Sequence, residues 1–317
     1  MMITDTTKVF MRNGGLVWRI LPYMLVSLLI VGGIAIAVCY PLFKGLAEAG
    51  FFAQLGELYY ESIFNVRIDQ IFASMSDILM SMGQIISANI AEFVPLVIAL
   101  VLIISIGCSF FVGLAELAIA DYLYSNMASN SRLSFSSCFI KNLGKSAKLQ
   151  LAKLAVVLPV DLLIVAGVVG LLLLFTIQNA ILAFFAPFIM VVALVVLVSL
   201  RQTLFCMWAP CMMVHNRSVW GALKENFVVM SKNFGTIFSS QLVMTLIYVG
   251  LNIATLLFTA SAGLLLTIPA TMLFAATLGQ VAYFSTNGLR FYIDENEIIS
   301  PKKKEDWEHI NALKDII

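Results

Sequence analysis

The chain has 317 residues, of which 61% are hydrophobic and only 12% are charged, and its formal net charge is +1. About a quarter of the residues in a soluble domain are charged, so this composition excludes an ordinary soluble protein. Several stretches contain the roughly 20 mainly apolar residues that a membrane-spanning helix requires. The sequence therefore predicts an all-α, polytopic membrane protein.

The first apolar stretch runs from Leu16 to Tyr40 and follows a short N-terminal segment, 1–15. It is too long for the hydrophobic region of a signal peptide, and no small-residue exit of the A-x-A type follows it. We therefore interpret this stretch as the first transmembrane helix, retained in the mature protein.

Six transmembrane helices are predicted in chain order, at 16–39, 93–119, 151–176, 181–209, 236–260 and 262–289. With their connections they make up a transmembrane domain, 16–290. Only "TIQNA" separates the third helix from the fourth, and only "ASAG" separates the fifth from the sixth. Both pairs are therefore predicted to be tight antiparallel hairpins.

The distribution of basic residues predicts the orientation of the chain. Of the 19 Lys and Arg residues, all but Lys44 and Arg67 lie in or near the N-terminal segment, the loops 120–150 and 210–235, and the tail 291–317. The positive-inside rule assigns the base-rich side to the cytoplasm. Both termini are then cytoplasmic, which agrees with an even number of transmembrane helices.

The one sizeable segment on the outer side, 41–92, is predicted to contain a long amphipathic helix. Its apolar residues recur at steps of three and four, as in a helix that packs along its length; they are Phe64, Ile68, Ile71, Met75, Ile78, Met82 and Ile85. Two interpretations of the helix, at 56–90, remain open. It lies on the outer leaflet or the protein's own outer face, or it binds a protein partner or a second copy of the chain.

The two cytoplasmic loops resemble each other. "SNSRLSFSSCFIKNLGKSAKLQLAKLAVVL" (129–158) can be laid over "VHNRSVWGALKENFVVMSKNFGTIFSSQLVMTL" (214–246), and both lead through an amphipathic stretch into a transmembrane helix. A parallel internal duplication is one interpretation, and chance similarity is the other. In either case each loop is predicted to form a short interfacial helix whose lysines meet the phosphates of membrane lipids.

These loops also carry a resemblance to known families. "LSFSSCFIKNLGKSAKLQLAKL" is similar to the phenylalanine-and-Lys-Asn loop of YesL-type proteins. "MWAPCMMVHNRSVWGALKENFVVMSKNFGTIF" is similar to the corresponding stretch there and in the membrane domain attached to some glycerophosphodiesterases. The resemblance covers about 93–290; the long outer helix departs from the compact pattern of these families. It implies a bacterial cytoplasmic-membrane protein with six helices, often linked to transport, and it supplies no catalytic residues.

No P-loop, G-x-G-x-x-G, H-E-x-x-H or G-x-S-x-G signature occurs in the sequence. We therefore expect no cofactor, no enzyme of the common classes and no nucleic-acid partner. The stretch "CMWAPCMMVH" offers Cys206, Cys211 and His215 as weak candidate ligands for a soft metal. Pro210 breaks the helical register and a fourth ligand is missing. These observations favour the alternative, a membrane-exit segment with Trp208 at the interface.

Three charged residues fall inside predicted transmembrane helices: Glu116, Asp161 and Arg201. A charged Asp or Arg at a helix centre costs roughly 2.5–3.5 kcal/mol on insertion scales, so partners are expected. Because a short hairpin joins the third and fourth helices, Asp161 and Arg201 are predicted to pair, and Glu116 is a second possible partner for Arg201. The pair fixes the register of the helices, or it lines a path for a substrate or ion. In a third interpretation each charge reaches water separately.

These features favour a non-enzymatic transporter or permease-like subunit, or an accessory to one, in the bacterial inner membrane, with a small-molecule substrate that the sequence does not identify. One alternative is a scaffold or regulatory protein that binds partners through the helix at 56–90 and the C-terminal tail. A weaker alternative is an intramembrane lipid-processing enzyme.

Overall fold

The computed structural model describes residues 2–48, 50–64, 90–131, 133–178, 180–259, 263–294 and 297–299, with positions 74, 77–78, 80 and 83 between them. The elements in this part of the chain are α1 (Met2–Arg12), α2 (Val17–Val38), α3 (Tyr40–Glu48), α4 (Phe51–Phe64), α5 (Ile90–Gly113), α6 (Ala115–Ser129), α7 (Phe135–Gln178), α8 (Ala180–Phe205), α9 (Trp208–Val214), α10 (Val219–Lys232), α11 (Phe234–Thr259), α12 (Leu264–Thr286), β1 (Phe291–Tyr292) and β2 (Ile298–Ile299), with a 3-10 turn at Gly14–Leu16. The prediction of an all-α protein is confirmed. The departure from it is small: β1 and β2 pair as an antiparallel hairpin.

Within the described residues, six helical stretches are long and apolar enough to cross a membrane, and each overlaps one predicted transmembrane helix: Gly14–Val38, Val94–Ser129, Phe135–Leu171, Phe188–Val214, Phe234–Thr255 and Leu264–Thr286. The prediction of a separate helix in the loop 120–150 is wrong, because α7 runs without interruption for 44 residues. In the loop 210–235 the segment predicted to be interfacial is a helix of its own. Ser218 caps the start of α10 by accepting a hydrogen bond from the Gly221 amide, and Asn233, with φ −137°, leaves helical geometry before α11.

The chain divides into two compact units, of which one takes in Met1–Arg19, Leu114–Gly250 and Pro269–Ile317 and the other takes in Ile20–Gly113 and Leu251–Ile268. In the first unit α6 packs on α7, α7 on α8, and the short α9 on α6 and α10. Its core contains the largest fully buried side chains of this unit, among them Trp208, Tyr283, Phe284 and Phe291. The charged groups predicted from the sequence also lie in this unit.

In the second unit α2 and α5 approach closely at Gly107, where an added Cβ would lie 3.0 Å from a methyl group of Val31. The hydroxyl of Tyr23 donates to the carbonyl of Phe111, which ties the same two helices together. An apolar cluster of Cys39, Leu42 and Leu46 packs against the N-terminal half of α5.

The two termini of the described chain meet in the first unit. Lys8 of α1 donates to both carboxylate oxygens of Glu297, at 3.0 and 2.9 Å, just before β2. These hydrogen bonds and the charge of Glu297 raise the pKa of Lys8. The contribution of this pair is therefore fully present at neutral pH and is lost only as the pH rises through the raised pKa of the lysine.

Most of the predicted outer helix lies outside the described residues. Phe64 is the last residue of α4, and Ile78 is buried with 8% exposure. The other apolar positions of the repeat lie outside the described residues; they are Ile68, Ile71, Met75, Met82 and Ile85. The tail from residue 300 on also lies outside the described residues. A partner-binding role for this helix stays a prediction.

Candidate functional site

Arg201 and Asp161 form an ion pair between α8 and α7. The Arg201 Nε lies 2.8 Å from Oδ1 of Asp161, and a terminal guanidinium nitrogen donates to Oδ2 at 2.9 Å. The contact to Oδ2 is a charge-assisted hydrogen bond, whereas the Nε is buried and forms no hydrogen bond with the described residues, so the contact to Oδ1 is electrostatic only. The Arg201 and Asp161 side chains are nevertheless 34% and 44% exposed, although both residues lie in helices long and apolar enough to cross a membrane.

Glu116 of α6 pairs with Lys153 of α7 rather than with Arg201. The Lys153 Nζ lies 2.5 Å from both carboxylate oxygens, and the side-chain amide of Gln150 donates to Oε2 at 3.2 Å. The Lys153 and Glu116 side chains are only 20% and 24% exposed. This pair is therefore the less solvated of the two.

Three further hydrogen bonds join the first turns of α7 to α6 and to Leu114 just before it. Asp121, whose side chain is 8% exposed, accepts hydrogen bonds from Lys141 at 3.1 Å and from Asn142 at 2.7 Å. The hydroxyl of Ser146 donates to the carbonyl of Leu114 at 2.5 Å. Polar groups at the start of α7 thus hold this end of the long helix against α6.

These contacts define a polar stripe on α7, made up of Asn142, Ser146, Gln150, Lys153 and Asp161. Residues separated by three, four or eight positions return to the same side of a helix. The stripe extends over about 28 Å at 1.5 Å per residue. Each of its two charged members, Lys153 and Asp161, faces a group of opposite sign, so the stripe is electrically balanced along its length.

A break between α8 and α9 is held by Asn226 of α10. The side-chain oxygen of Asn226 accepts from the Met207 amide at 3.1 Å, and its nitrogen donates to the Leu204 carbonyl at 2.6 Å. The amide of Asn226 thereby satisfies two backbone groups at a place where the helical ladder is interrupted. Asn226 itself is fully buried.

The position of Trp208 relative to a membrane interface stays a prediction. Its side chain is fully buried, and the indole nitrogen donates to the Val219 carbonyl at 2.9 Å, because α9 packs inside the first unit. The structure also does not bring the weak metal candidates Cys206, Cys211 and His215 together as ligands. In the part of the chain that is described, no group of three or more His, Cys, Asp and Glu side chains could hold a metal.

His215 belongs instead to a cluster around Glu225. The hydroxyl of Tyr283 donates to Oε1 of Glu225 at 2.7 Å, and the His215 Nε2 lies 3.4 Å from the same oxygen. The Nε of Arg217 lies 3.4 Å from Oε2. Glu225 therefore points toward α12 and the loop before α10, and its side chain is 21% exposed.

Buried amides and hydroxyls continue into the interior of the first unit. Thr245 of α11 donates to the side-chain oxygen of Gln202 at 3.2 Å. Gln280 of α12 is fully buried, and neither its amide nitrogen nor its amide oxygen has a hydrogen-bond partner among the described residues. The interior between these helices is therefore more polar than their apolar sequences suggest.

The structure brings Asp161 and Arg201 together, whereas several polar contacts were not predicted from the sequence. The 4-4-3 spacing of Asn142, Ser146, Gln150 and Lys153 is a signal that could have identified the polar stripe. For the contact between Glu225 and Tyr283 no local signal exists, because 58 positions separate the two residues.

The comparisons with known proteins add no relative. No protein-family model, no curated protein and no solved structure matches the chain. The resemblance of its loops to YesL-type proteins and to the membrane domain of glycerophosphodiesterases therefore stays a prediction.

Proposed function

We propose that this chain is a multi-pass protein of the bacterial cytoplasmic membrane, with both termini in the cytoplasm, and that it is a transporter or permease-like subunit or an accessory to one. The six long apolar helices among the described residues and the one-sided distribution of Lys and Arg support the location. The polar stripe of α7 and its partners support the role.

The observation that carries the proposal is the partial exposure of the Asp161–Arg201 pair. Ionisable residues inside transmembrane helices are costly and face the interior of a bundle or a water-filled cavity. Here the two side chains keep 44% and 34% of their surface exposed. If lipid tails covered that surface, the charges would be poorly solvated and their free energy would rise. Contact with water or with a polar solute avoids this free-energy cost.

In the proposed mechanism a charged or strongly polar solute competes with the ion pair. Its anionic group takes the place of Asp161 beside Arg201, or its cationic group takes the place of Arg201 beside Asp161. The Glu116–Lys153 pair, which is less exposed, keeps α6 and α7 in register while this exchange takes place. The substrate class is therefore a small charged molecule or ion.

The proposal is tested by measuring whether a water-soluble reagent reaches the polar stripe of α7. Ile164 lies one turn beyond Asp161 on the same side of α7, and Leu163, next to it, is 73% exposed on another side. We expect the charged thiol reagent MTSES to modify an Ile164→Cys variant in sealed membranes, and to leave Leu163→Cys unmodified because lipid surrounds it. Peptide mass spectrometry locates the modified thiol, and the fully buried Cys211 serves as an internal reference.

The opposite outcome would argue against a transport role. If Ile164→Cys resists the reagent from both sides of the membrane while the protein is folded and inserted, the pair is dry. It then acts only to fix the register of α7 and α8.

A further inference from the structure

One face of α10 holds this helix in the first unit. Its buried residues are Ala222, Asn226, Val229 and Met230, and α10 packs on α9, α8 and α7. Steps of three and four residues place all four on one side of the helix. The opposite side is therefore turned away from the protein.

That opposite side carries an unusual combination of residues. Trp220 is 57% exposed, Phe227 39% and Val228 61%, and between and after them Lys224 and Lys232 are exposed. We call these five residues the exposed stripe of α10. Large apolar side chains exposed beside lysines are typical of a helix that lies in the interface of a bilayer.

The exposed stripe of α10 contains no acidic residue, since its five residues are apolar or basic. Glu225 is the acidic residue of α10, and it is turned inward, where the hydroxyl of Tyr283 donates to it at 2.7 Å. The exposed side consequently combines two positive charges with Trp220, an amphipathic side chain that favours the headgroup region.

The position of α10 in the chain keeps it at the membrane surface. The stretch Phe188–Val214 before it and the stretch Phe234–Thr255 after it are both long and apolar enough to cross a membrane. Four residues, 215–218, lead into α10, and only Asn233 separates it from α11. With connections this short, α10 cannot move far from the ends of the two helices that flank it.

We propose that the exposed stripe of α10 binds the headgroups of anionic phospholipids. Trp220, Phe227 and Val228 insert among the upper acyl chains, while Lys224 and Lys232 extend toward the lipid phosphates. A lipid surface fits this stripe better than an acidic protein does, because three of its five residues are large apolar side chains. The inference rests on the proposed membrane location.

Quenching of Trp220 by brominated lipids tests this proposal at the site itself. In a variant with Trp18→Phe and Trp307→Phe, the remaining tryptophans are Trp220 and the fully buried Trp208. The protein is reconstituted in phosphatidylcholine vesicles that contain a rising fraction of brominated phosphatidylglycerol or brominated phosphatidylcholine. We expect the anionic lipid to quench at a lower mole fraction, with a preference of about fivefold for each lysine that contacts phosphate.

Substitution of Lys224 and Lys232 shows whether the preference for anionic lipid depends on their charge or only on contact of Trp220 with lipid. Lys224→Gln with Lys232→Gln should abolish the preference while both lipids still quench, and the arginine pair Lys224→Arg with Lys232→Arg should retain it. Lys44→Gln, which removes an exposed lysine of α3, should leave the preference intact, and Trp220→Phe should remove the quenching.

Equal quenching by the two lipids in the parent protein would overturn the proposal, and so would a preference that survives loss of both lysines. Absence of quenching by either lipid in protein that co-floats with the vesicles would also overturn it, because Trp220 would then not meet lipid. Failure to co-float would contradict the membrane location itself.

Discussion

Gly279 of α12 lies directly against the backbone carbonyl of Cys206: a Cβ placed at residue 279 would come within 2.3 Å of that oxygen. This carbonyl belongs to the break between α8 and α9. Because the obstructing atom is part of the backbone, it cannot rotate away as a flexible side chain could. The close approach of α12 to the break therefore requires glycine at this position.

The first prediction is that Gly279→Ala destabilises the protein by at least the about 1–3 kcal/mol typical of overpacking. The measurement is the midpoint of thermal unfolding of the purified protein in a mild detergent. Gly167→Ala in α7 is the matched control, since an added Cβ there meets nothing within 4 Å. Alanine also favours a helix over glycine, so the control should be neutral or stabilising. Equal midpoints for the two variants would contradict the packing argument.

The apolar runs predicted the positions of the long helices because hydrocarbon tolerates only long apolar segments with satisfied backbones. The Asp161–Arg201 pair followed from simple geometry, since a short hairpin forces α7 and α8 to be antiparallel neighbours. No comparable constraint linked Lys153 to Glu116. The sequence places Lys153 among the basic residues beside the loop 120–150, and no sequence signal indicates that α7 continues through this loop.

Other features depend on contacts between segments distant in sequence, which periodicity does not reveal. Asn226 forms hydrogen bonds with two backbone groups at the break between α8 and α9. Pro210 predicts a break in the helix but does not identify Asn226 as its partner. Tryptophan is enriched at membrane interfaces, yet the packing of α9 buries the side chain of Trp208 in the core. In both cases the outcome depends on where α9 and α10 pack, and the apolar pattern of a seven-residue helix does not specify this.

The second prediction concerns the energetic coupling of Lys153 and Glu116. Removal of one partner from a fully buried pair costs about 3–5 kcal/mol, because the other charge is left uncompensated. With 20% and 24% exposure, Lys153→Met or Glu116→Leu alone should cost somewhat less than that. The double variant should be more stable than either single variant. A double-mutant cycle on the thermal midpoint checks this, and additive effects of the two changes would show that the pair is not coupled.

The third prediction is that the charges of Asp161 and Arg201 control reagent access in opposite directions. MTSES is an anion, so loss of a negative charge beside Ile164→Cys should raise the modification rate severalfold, and loss of a positive charge should lower it. Asp161→Asn should therefore accelerate the reaction and Arg201→Gln should slow it. Higher salt should reduce both effects, because salt screens solvated charges.

The thermal stability of the Asp161→Asn and Arg201→Gln variants provides the control for this experiment. A solvent-exposed ion pair contributes about 0–1 kcal/mol, so both variants should retain expression and a thermal midpoint close to that of the parent protein. A large loss of stability on removal of either charge, with recovery in the double variant Asp161→Asn with Arg201→Gln, would indicate a dry pair that serves assembly. The same change in rate for both variants would exclude an electrostatic cause.

The fourth prediction concerns the fully buried amide of Gln280, whose nitrogen and oxygen have no hydrogen-bond partner among the described residues. A buried polar group without a partner costs about 1–3 kcal/mol, and methionine has a similar volume and flexible shape without the amide. Gln280→Met should consequently raise the thermal midpoint. Gln202→Met is the matched control: it removes an amide that accepts a hydrogen bond from Thr245, so its midpoint should fall. If Gln280→Met lowers the midpoint as much as the control does, the amide of Gln280 binds a water molecule or a polar solute inside the first unit, and removal of that ligand is what destabilises the protein.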